Sequence, residues 1–279
     1  MASPSASLTA PRAGRRLDAR WLLYLLTAAV YIFLFSPIVV VVIASFNPTG
    51  LTSFPPAGFT LAWYADLLRD GDILRALRTS LVVAVLAALL TSALAIAAAY
   101  GLSRFTFRFK RVIQAFFYLP ILVPGVVAGI ALIFWFKRIG LQTGLLTILI
   151  AHVVHAFPYT LSIVLTSFYG FDRRLEEASQ DLGANPWRTF WRVTLPLVMP
   201  GVIGGALLAF TISFDEFVLT FFVAGGGVVT LPLEIYSRIR FLLSPVINAV
   251  AAVVLLVSMT LALAVQLLVL MRERRARAA

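Results

Sequence analysis

Two neighbouring carboxylates, Asp215 and Glu216, stand in an apolar run flanked by Phe214, Phe217, Phe221 and Phe222. An ionised side chain at mid-bilayer depth costs about 2.5–3.5 kcal/mol on insertion scales, so such groups must face a wet cavity or a partner. Acids framed by aromatic rings suit a cation, through ion pairing and cation–π attraction. A structural contact or a gate hydrogen bond is the alternative use, and Arg238 or Arg240 could serve as the partner of one acid. Adjacent helical residues differ by about 100° in direction, so both acids need not line one cavity. The two histidines, His152 and His155, are one helical turn apart. They could form a metal pair or a proton relay. With no carboxylate or cysteine in their stretch to complete a site, packing or helix–helix hydrogen bonding is the expected role. Neither a metal nor another cofactor is expected. No nucleophile motif accompanies the histidines, so no enzyme is expected either.

These residues must be carried by elements at home in lipid. Of 279 residues, 61% are hydrophobic and only 13% are charged, whereas a soluble domain of this size carries about 25% charged residues. The expected fold is all-α and polytopic. Six stretches reach the roughly 20 apolar residues that a bilayer crossing needs: 21–46, 80–103, 112–136, 145–169, 201–224 and 245–271. The first follows Arg12, Arg15, Arg16 and Arg20 as a signal peptide would, but it is too long and lacks a small-residue cleavage site, so it reads as retained. Counting about 1.5 Å per residue from Gly201, Asp215 lies about 20 Å in, within the outer half of the fifth span.

The net charge of +11 would fit nucleic acid only beside a soluble core, and none is available, so no nucleic acid is expected. The basic residues instead mark topology. With the N-terminus inside, the segments 1–20, 104–111, 170–200 and 272–279 each hold four Lys and Arg, 16 of the 23 in the chain. The positive-inside rule then places both termini in the cytoplasm. Residues 1–20 read as a disordered tail. The outer loop 47–79 contains a polar helical stretch over 62–78 suited to a membrane surface.

The inner segment from Asp172 to Pro196 predicts a helix–turn–helix knob. Asp172 is its expected N-cap, and Leu175, Ala178 and Leu182 form one apolar stripe. Gly183 suits the position just past the helix end. Asn185-Pro186 opens a second helix that Leu195-Pro196 closes. Glu177-Ala178-Ser179, Gly183, Val193 and Leu195-Pro196 resemble the EAA loop of type I ABC importer permeases, with Ser179 for the second alanine and Val193 for the isoleucine. The resemblance implies a six-helix permease fold whose loop docks on a cytoplasmic ABC ATPase dimer, with Gly183 as the turn and Glu177 as a docking contact. A separate motor is consistent with the lysines. A phosphate-binding loop needs Lys after Gly, yet Lys110 and Lys137 each follow phenylalanine.

The run Ser213-Phe214-Asp215-Glu216-Phe217-Val218, with Leu231-Pro232 and Ile235-Tyr236, is similar to the spermidine/putrescine permease branch, in the second of its paired membrane subunits. That resemblance covers nearly the whole chain. It implies import of a small cation, alongside a second homologous permease and an extracytoplasmic solute-binding protein. It also implies a division into a tail (1–20), a first span with its outer loop (21–74), the permease domain (75–271) and a second tail (272–279). An ion-gradient carrier coupled through Asp215 or Glu216 is the rival reading, and an intramembrane enzyme or scaffold a third.

Overall fold

The computed structural model describes residues 19–49, 56–241 and 246–260. Among the described residues the chain is helical, with no strand, and it divides into two compact units: one from the chain ends (1–67 with 244–279) and one from 68–243.

In the first unit, α1 (Ala19–Ala44) is apolar on every face, the pattern of a helix bounded by lipid or by another apolar surface. The loop after it is pinned by polar contacts. Ser45 Oγ lies 2.6 Å from the Tyr64 hydroxyl, and Trp63 Nε1 donates to the Asn47 carbonyl at 2.9 Å.

The helices α2 (Ala62–Arg69) and α3 (Gly71–Arg104) follow. The continuous surface helix expected over 62–78 is divided at Asp70, whose extended backbone ends one helix while its side chain caps the next by accepting from Asp72 and Ile73 N–H, both at 3.1 Å. The second span therefore begins at Gly71 rather than Ser80.

The third span is two helices, α4 (Lys110–Leu122) and α5 (Gly125–Arg138), bent by 107° at Val123-Pro124. Proline lacks the N–H that would continue the ladder, and it disfavours helical backbone in the residue before it. Next come α6 (Leu145–Tyr169), α7 (Arg174–Asp181) and α8 (Pro186–Thr189). A π-turn (Phe190–Thr194) joins α8 without interruption to α9 (Leu195–Phe214), and α10 (Val218–Val223) and α11 (Leu231–Phe241) complete the unit.

Among the described residues four helices are long and apolar enough to cross a bilayer, or five where the bent pair α4–α5 is counted as one span. Of the sixth expected span, Val246–Thr260 is an apolar helix, α12, and the remainder lies outside the described residues, as do the tail 272–279 and all of the tail 1–20 but Ala19 and Arg20, which open α1. The fifth span is not the continuous helix expected over 201–224: it is broken at 215–217 between α9 and α10.

Small residues bring the core helices together. Along α9, Gly201, Gly205, Ala209 and Ser213 recur every fourth position. A Cβ on Gly201 would stand 1.7 Å from Ser167 Oγ of α6, and one on Gly205 3.0 Å from Thr160 Cγ2. In lipid, where no hydrophobic force drives helices together, such close approach supplies the attraction. On α3, Ala84, Ala87, Ala95 and Ala99 are fully buried in the same way.

One ion pair ties the start of α3 to α11. Arg238 holds Asp70 in a fork, Nη1–Oδ2 at 2.5 Å and Nη2–Oδ1 at 2.9 Å, and also holds Glu234 through Nε at 2.6 Å. Hydrogen bonding from Arg238 keeps the Asp70 carboxyl below its ordinary value, and the same bond raises Arg238. A lowered acid contributes stability at pH above its unfolded value and loses it as pH falls through the folded one. Asp70→Ala should cost about 2 kcal/mol, since it removes a cap and a charged hydrogen bond. In thermal unfolding of the detergent-solubilised protein, the gap between wild type and variant should be full at neutral pH and shrink below about pH 4.

Candidate functional site

The hairpin expected over 172–196 is present, with one change of plan. The Asp172 carboxylate accepts from Arg174 N–H at 3.0 Å at the start of α7. Gly183 adopts φ +90°, which ends the helix in the left-handed region where a side chain is strained. Asn185 Oδ1 caps α8 by accepting from Arg188 N–H at 2.8 Å, with Pro186 at the first helical position. Leu195-Pro196 does not close this second helix. Pro196 lacks an N–H for the Arg192 carbonyl and would clash with it in an α-turn, and the chain widens into the π-turn beside it and runs on as α9. One helix thus extends from the hairpin, at Pro186, to Phe214.

The apolar stripe is not packed inward. Leu175 and Leu182 are 48% and 90% exposed, and Ala178 is exposed with them. They border a shallow depression shared with Arg188, Arg192 and Val193. Glu177 is exposed, and its ion pair is with Arg173, the residue just before α7, at 3.5 Å. Ser179 Oγ meets Thr189 Oγ1 of α8 at 3.2 Å. Leu195 packs on the core of α3, α6 and α9, and Pro196 is exposed.

The buried residue of α7 is Glu176, which the sequence reading passed over. Its Oε1 accepts from Arg104 Nη2 (3.0 Å) and Thr194 Oγ1 (2.6 Å), and its Oε2 lies 2.7 Å from Arg104 Nε. The Arg104 guanidinium also lies 5.8 Å from the ring centre of Phe168 and 5.2 Å from that of Phe171. Removing one partner of such a buried pair leaves an uncompensated charge and costs about 3–5 kcal/mol. In the sequence Arg104 is one of the four basic residues of the segment 104–111.

The two acids do not sit within a continuous helix as expected. Asp215 caps the end of α9, and Glu216 and Phe217 lead into α10. Their roles separate. Glu216 Oε1 accepts from Leu219 N–H (2.9 Å), capping α10, while Oε2 lies 3.4 Å from His155 Nε2. The Asp215 side chain is exposed, and among the described residues no hydrogen bond or ion pair engages it. Arg238, a partner considered for one of these acids, belongs instead to Asp70 and Glu234.

Helix α6 fastens both sides of this break. His152 is buried, with Nδ1 2.8 Å from Ser213 Oγ on α9 and Nε2 2.8 Å from Thr220 Oγ1 on α10. The Thr220 hydroxyl donates to the Glu216 carbonyl at 2.9 Å, so it accepts from His152 Nε2–H. Thr147 reaches the Val223 carbonyl at 2.8 Å. His152 therefore serves helix–helix hydrogen bonding, whereas His155 lies beside Glu216 without a hydrogen bond to it; among the described residues no group of three or more His, Asp or Glu side chains is placed to hold a metal ion.

The expected aromatic frame is divided. Phe217 meets Tyr236 (4.7 Å between ring centres) and Phe221 (5.8 Å) at tilted angles, whereas Phe214 stacks on Phe210 (5.8 Å). Phe222 packs on α5, where a Cβ on Gly129 would stand 2.5 Å from its ring. A Cβ on Gly125 would likewise meet Val218 Cγ1 at 3.3 Å. The first residues of the two half-helices α5 and α10 are thus in contact, and the two broken spans meet at their breaks.

Comparison with known proteins follows the same lines. Residues 91–278 match the family described as binding-protein-dependent transport system inner membrane component. The spermidine/putrescine transport system permease protein PotC of Escherichia coli (strain K12) is 34% identical over 240 residues, covering 86% of this chain and 90% of PotC. The putrescine transport system permease protein PotI of the same strain is 37% identical over 232 residues, covering 81% and 82%. Among solved structures, a chain of a bacterial ABC transporter involved in the import of the acidic polysaccharide alginate superposes with a TM-score of 0.71 at 16% identity, over 93% of this chain and 98% of the other. A bacterial alginate ABC transporter in complex with a pentasaccharide-bound periplasmic protein gives 0.63 at 19% identity, over 88% and 94%. The fold is that of ABC importer permeases, and the chain belongs to the family of binding-protein-dependent transport system inner membrane components, which are transport subunits rather than enzymes.

Proposed function

We propose that this chain is the permease subunit of an ATP-driven importer that carries a small organic cation, of the spermidine/putrescine class, into the cytoplasm. It sits in a bacterial inner membrane with both termini and the 172–196 hairpin on the cytoplasmic side. It works with a second homologous permease, a cytoplasmic ABC ATPase dimer and an extracytoplasmic solute-binding protein. The relatives named for spermidine and putrescine support the substrate class, and the basic residues clustered at one set of span ends support the orientation.

The observation that carries the reading is the helix Pro186–Phe214. At about 1.5 Å per residue it spans roughly 40 Å, with the hairpin at one end and the unengaged Asp215 at the other. Leu175, Ala178 and Leu182 form an uncovered apolar face next to that lever, the surface an ATPase groove would take, with Glu177 at its edge, Ser179 tying α7 to α8, Gly183 as the turn, and Val193, Leu195 and Pro196 carrying the motion into α9. On this reading Asp215 meets the cation and Glu216 shapes the break, with Phe214 and Phe217 as apolar walls. A permease for another small organic cation would share every one of these features. Competition of labelled putrescine uptake by a panel of amines, in the assembled complex, separates the two.

Two substitutions test the parts. A Cβ on Gly183 meets nothing within 4 Å, but its φ of +90° strains any side chain. Gly183→Leu should insert at normal levels yet lower putrescine uptake at least about tenfold by distorting the docking turn; uptake equal to wild type would remove the hairpin from coupling. Asp215→Asn should raise the KM for putrescine by about tenfold, roughly 1.4 kcal/mol of lost ion pairing, with kcat nearly kept. An unchanged KM would exclude Asp215 as a ligand contact.

A further inference from the structure

The two candidate regions lie at opposite ends of one helix, and the hairpin's own attachment to the bundle has its own chemistry. Every side chain of α7 is exposed or half-exposed except Glu176. A helix that docks through its apolar residues would ordinarily bury a leucine to hold itself to the body. Here Leu175, Ala178 and Leu182 face outward, and the buried anchor is a carboxylate.

That carboxylate gathers several elements at one point. Arg104 is the last residue of α3, Thr194 lies in the π-turn that opens α9, and Phe168 lies in the last turn of α6 with Phe171 just beyond it. The Arg104 and Glu176 side chains are only 10% and 9% exposed. Apolar contact is non-directional and lets surfaces slide. A guanidinium–carboxylate contact has direction as well as distance: here Arg104 Nη2 donates to Glu176 Oε1, while Nε lies 2.7 Å from Oε2 without the alignment of a hydrogen bond. Buried and water-excluded, such a joint carries a pull as well as a push. The π-turn beside it is a widened segment of the kind found at functional sites, and Thr194 within it brings the joint directly onto the start of α9.

We propose that Glu176, rather than the exposed Glu177 of the motif, is the positioning residue through which movement of the hairpin reaches the spans, with Arg104 and Thr194 as its two receivers. The proposal rests on the ATP-driven reading above. It assigns separate duties to adjacent acids: Glu177 faces the motor, and Glu176 transmits to the bundle.

The test uses the complete complex, both permeases with the ATPase dimer and binding protein, reconstituted in proteoliposomes. Putrescine uptake and ATP hydrolysis are measured on the same preparation. Glu176→Gln should leave the ATPase co-purifying and hydrolysing ATP, while putrescine moved per ATP falls at least about tenfold. Thr194→Val, which removes one receiver and leaves the charge pair, should give the same sign at smaller size. The exchange Arg104→Glu with Glu176→Arg should restore part of the ratio that either single change loses, the non-additivity expected of a direct contact. A ratio equal to wild type in both Glu176→Gln and Thr194→Val would overturn the proposal. So would uptake and hydrolysis falling in parallel at constant ratio, which is the mark of a merely structural residue. Should Glu176→Gln fail to assemble, Thr194→Val and the charge exchange decide the question by the same ratio. Failure of the wild-type chain to bind any ATPase would instead defeat the underlying functional reading, an outcome separate from these.

Discussion

In a bilayer core there is no water to satisfy a freed backbone group, so every interruption of a helix needs a partner supplied by the protein. This constraint governs the arrangement of the 68–243 unit. The break at 215–217 survives because Glu216 caps the Leu219 N–H, His152 bridges Ser213 and Thr220, and Thr147 takes the Val223 carbonyl. Polar residues that look like a catalytic or metal-binding set in the sequence are, in the fold, the fittings of a discontinuous helix. Asp215 stands apart from that work. The distinction between a carboxylate engaged by structure and one left over is what the proposed cation contact at Asp215 rests on.

The hairpin was legible in the sequence because its signals are local. Asp172, Gly183, Asn185 and Pro186 act on backbone groups within three residues of themselves, and each does in the fold what its type and position predict. The apolar stretches were legible for a similar reason, since length and composition alone decide whether a helix suits lipid. The long-range polar contacts were not. Glu176 meets Arg104 across 72 residues and His152 meets Thr220 across 68, and nothing in the local pattern marks these pairs. The apolar stripe of α7 marks a further limit. Periodicity identifies a face that avoids water, but it does not say whether this chain or another one covers it.

The breaks show the same limit. The 107° bend in the third span falls at Pro124, whose effect on a helix is local and visible in its residue type. The fifth span breaks after Phe214 with no proline or glycine nearby in sequence. Its cause is tertiary: α10 is drawn onto α5 through Gly125 and Gly129, whose missing side chains admit Val218 and Phe222. A small-residue seam on one broken span thus fixes where another one ends.

The contrast between the two ends of the long helix Pro186–Phe214 bears on how such a subunit moves. At the hairpin end, Pro196 forces a widened turn and a charged joint fixes its surroundings to α3. At the far end, hydroxyl and imidazole hydrogen bonds hold α9 and α10 to α6. Between them the helix lies on α6 through Gly201, Gly205 and Ala209, a smooth seam free of charged locks. A rod gripped at both ends by directional contacts, and seated on small residues in its middle, is suited to pass displacement along its axis. Packed interfaces of this kind switch between discrete arrangements rather than deform continuously. The placement of polar joints at the ends and glycines in the middle therefore favours a shift of the helix as a unit over local unwinding.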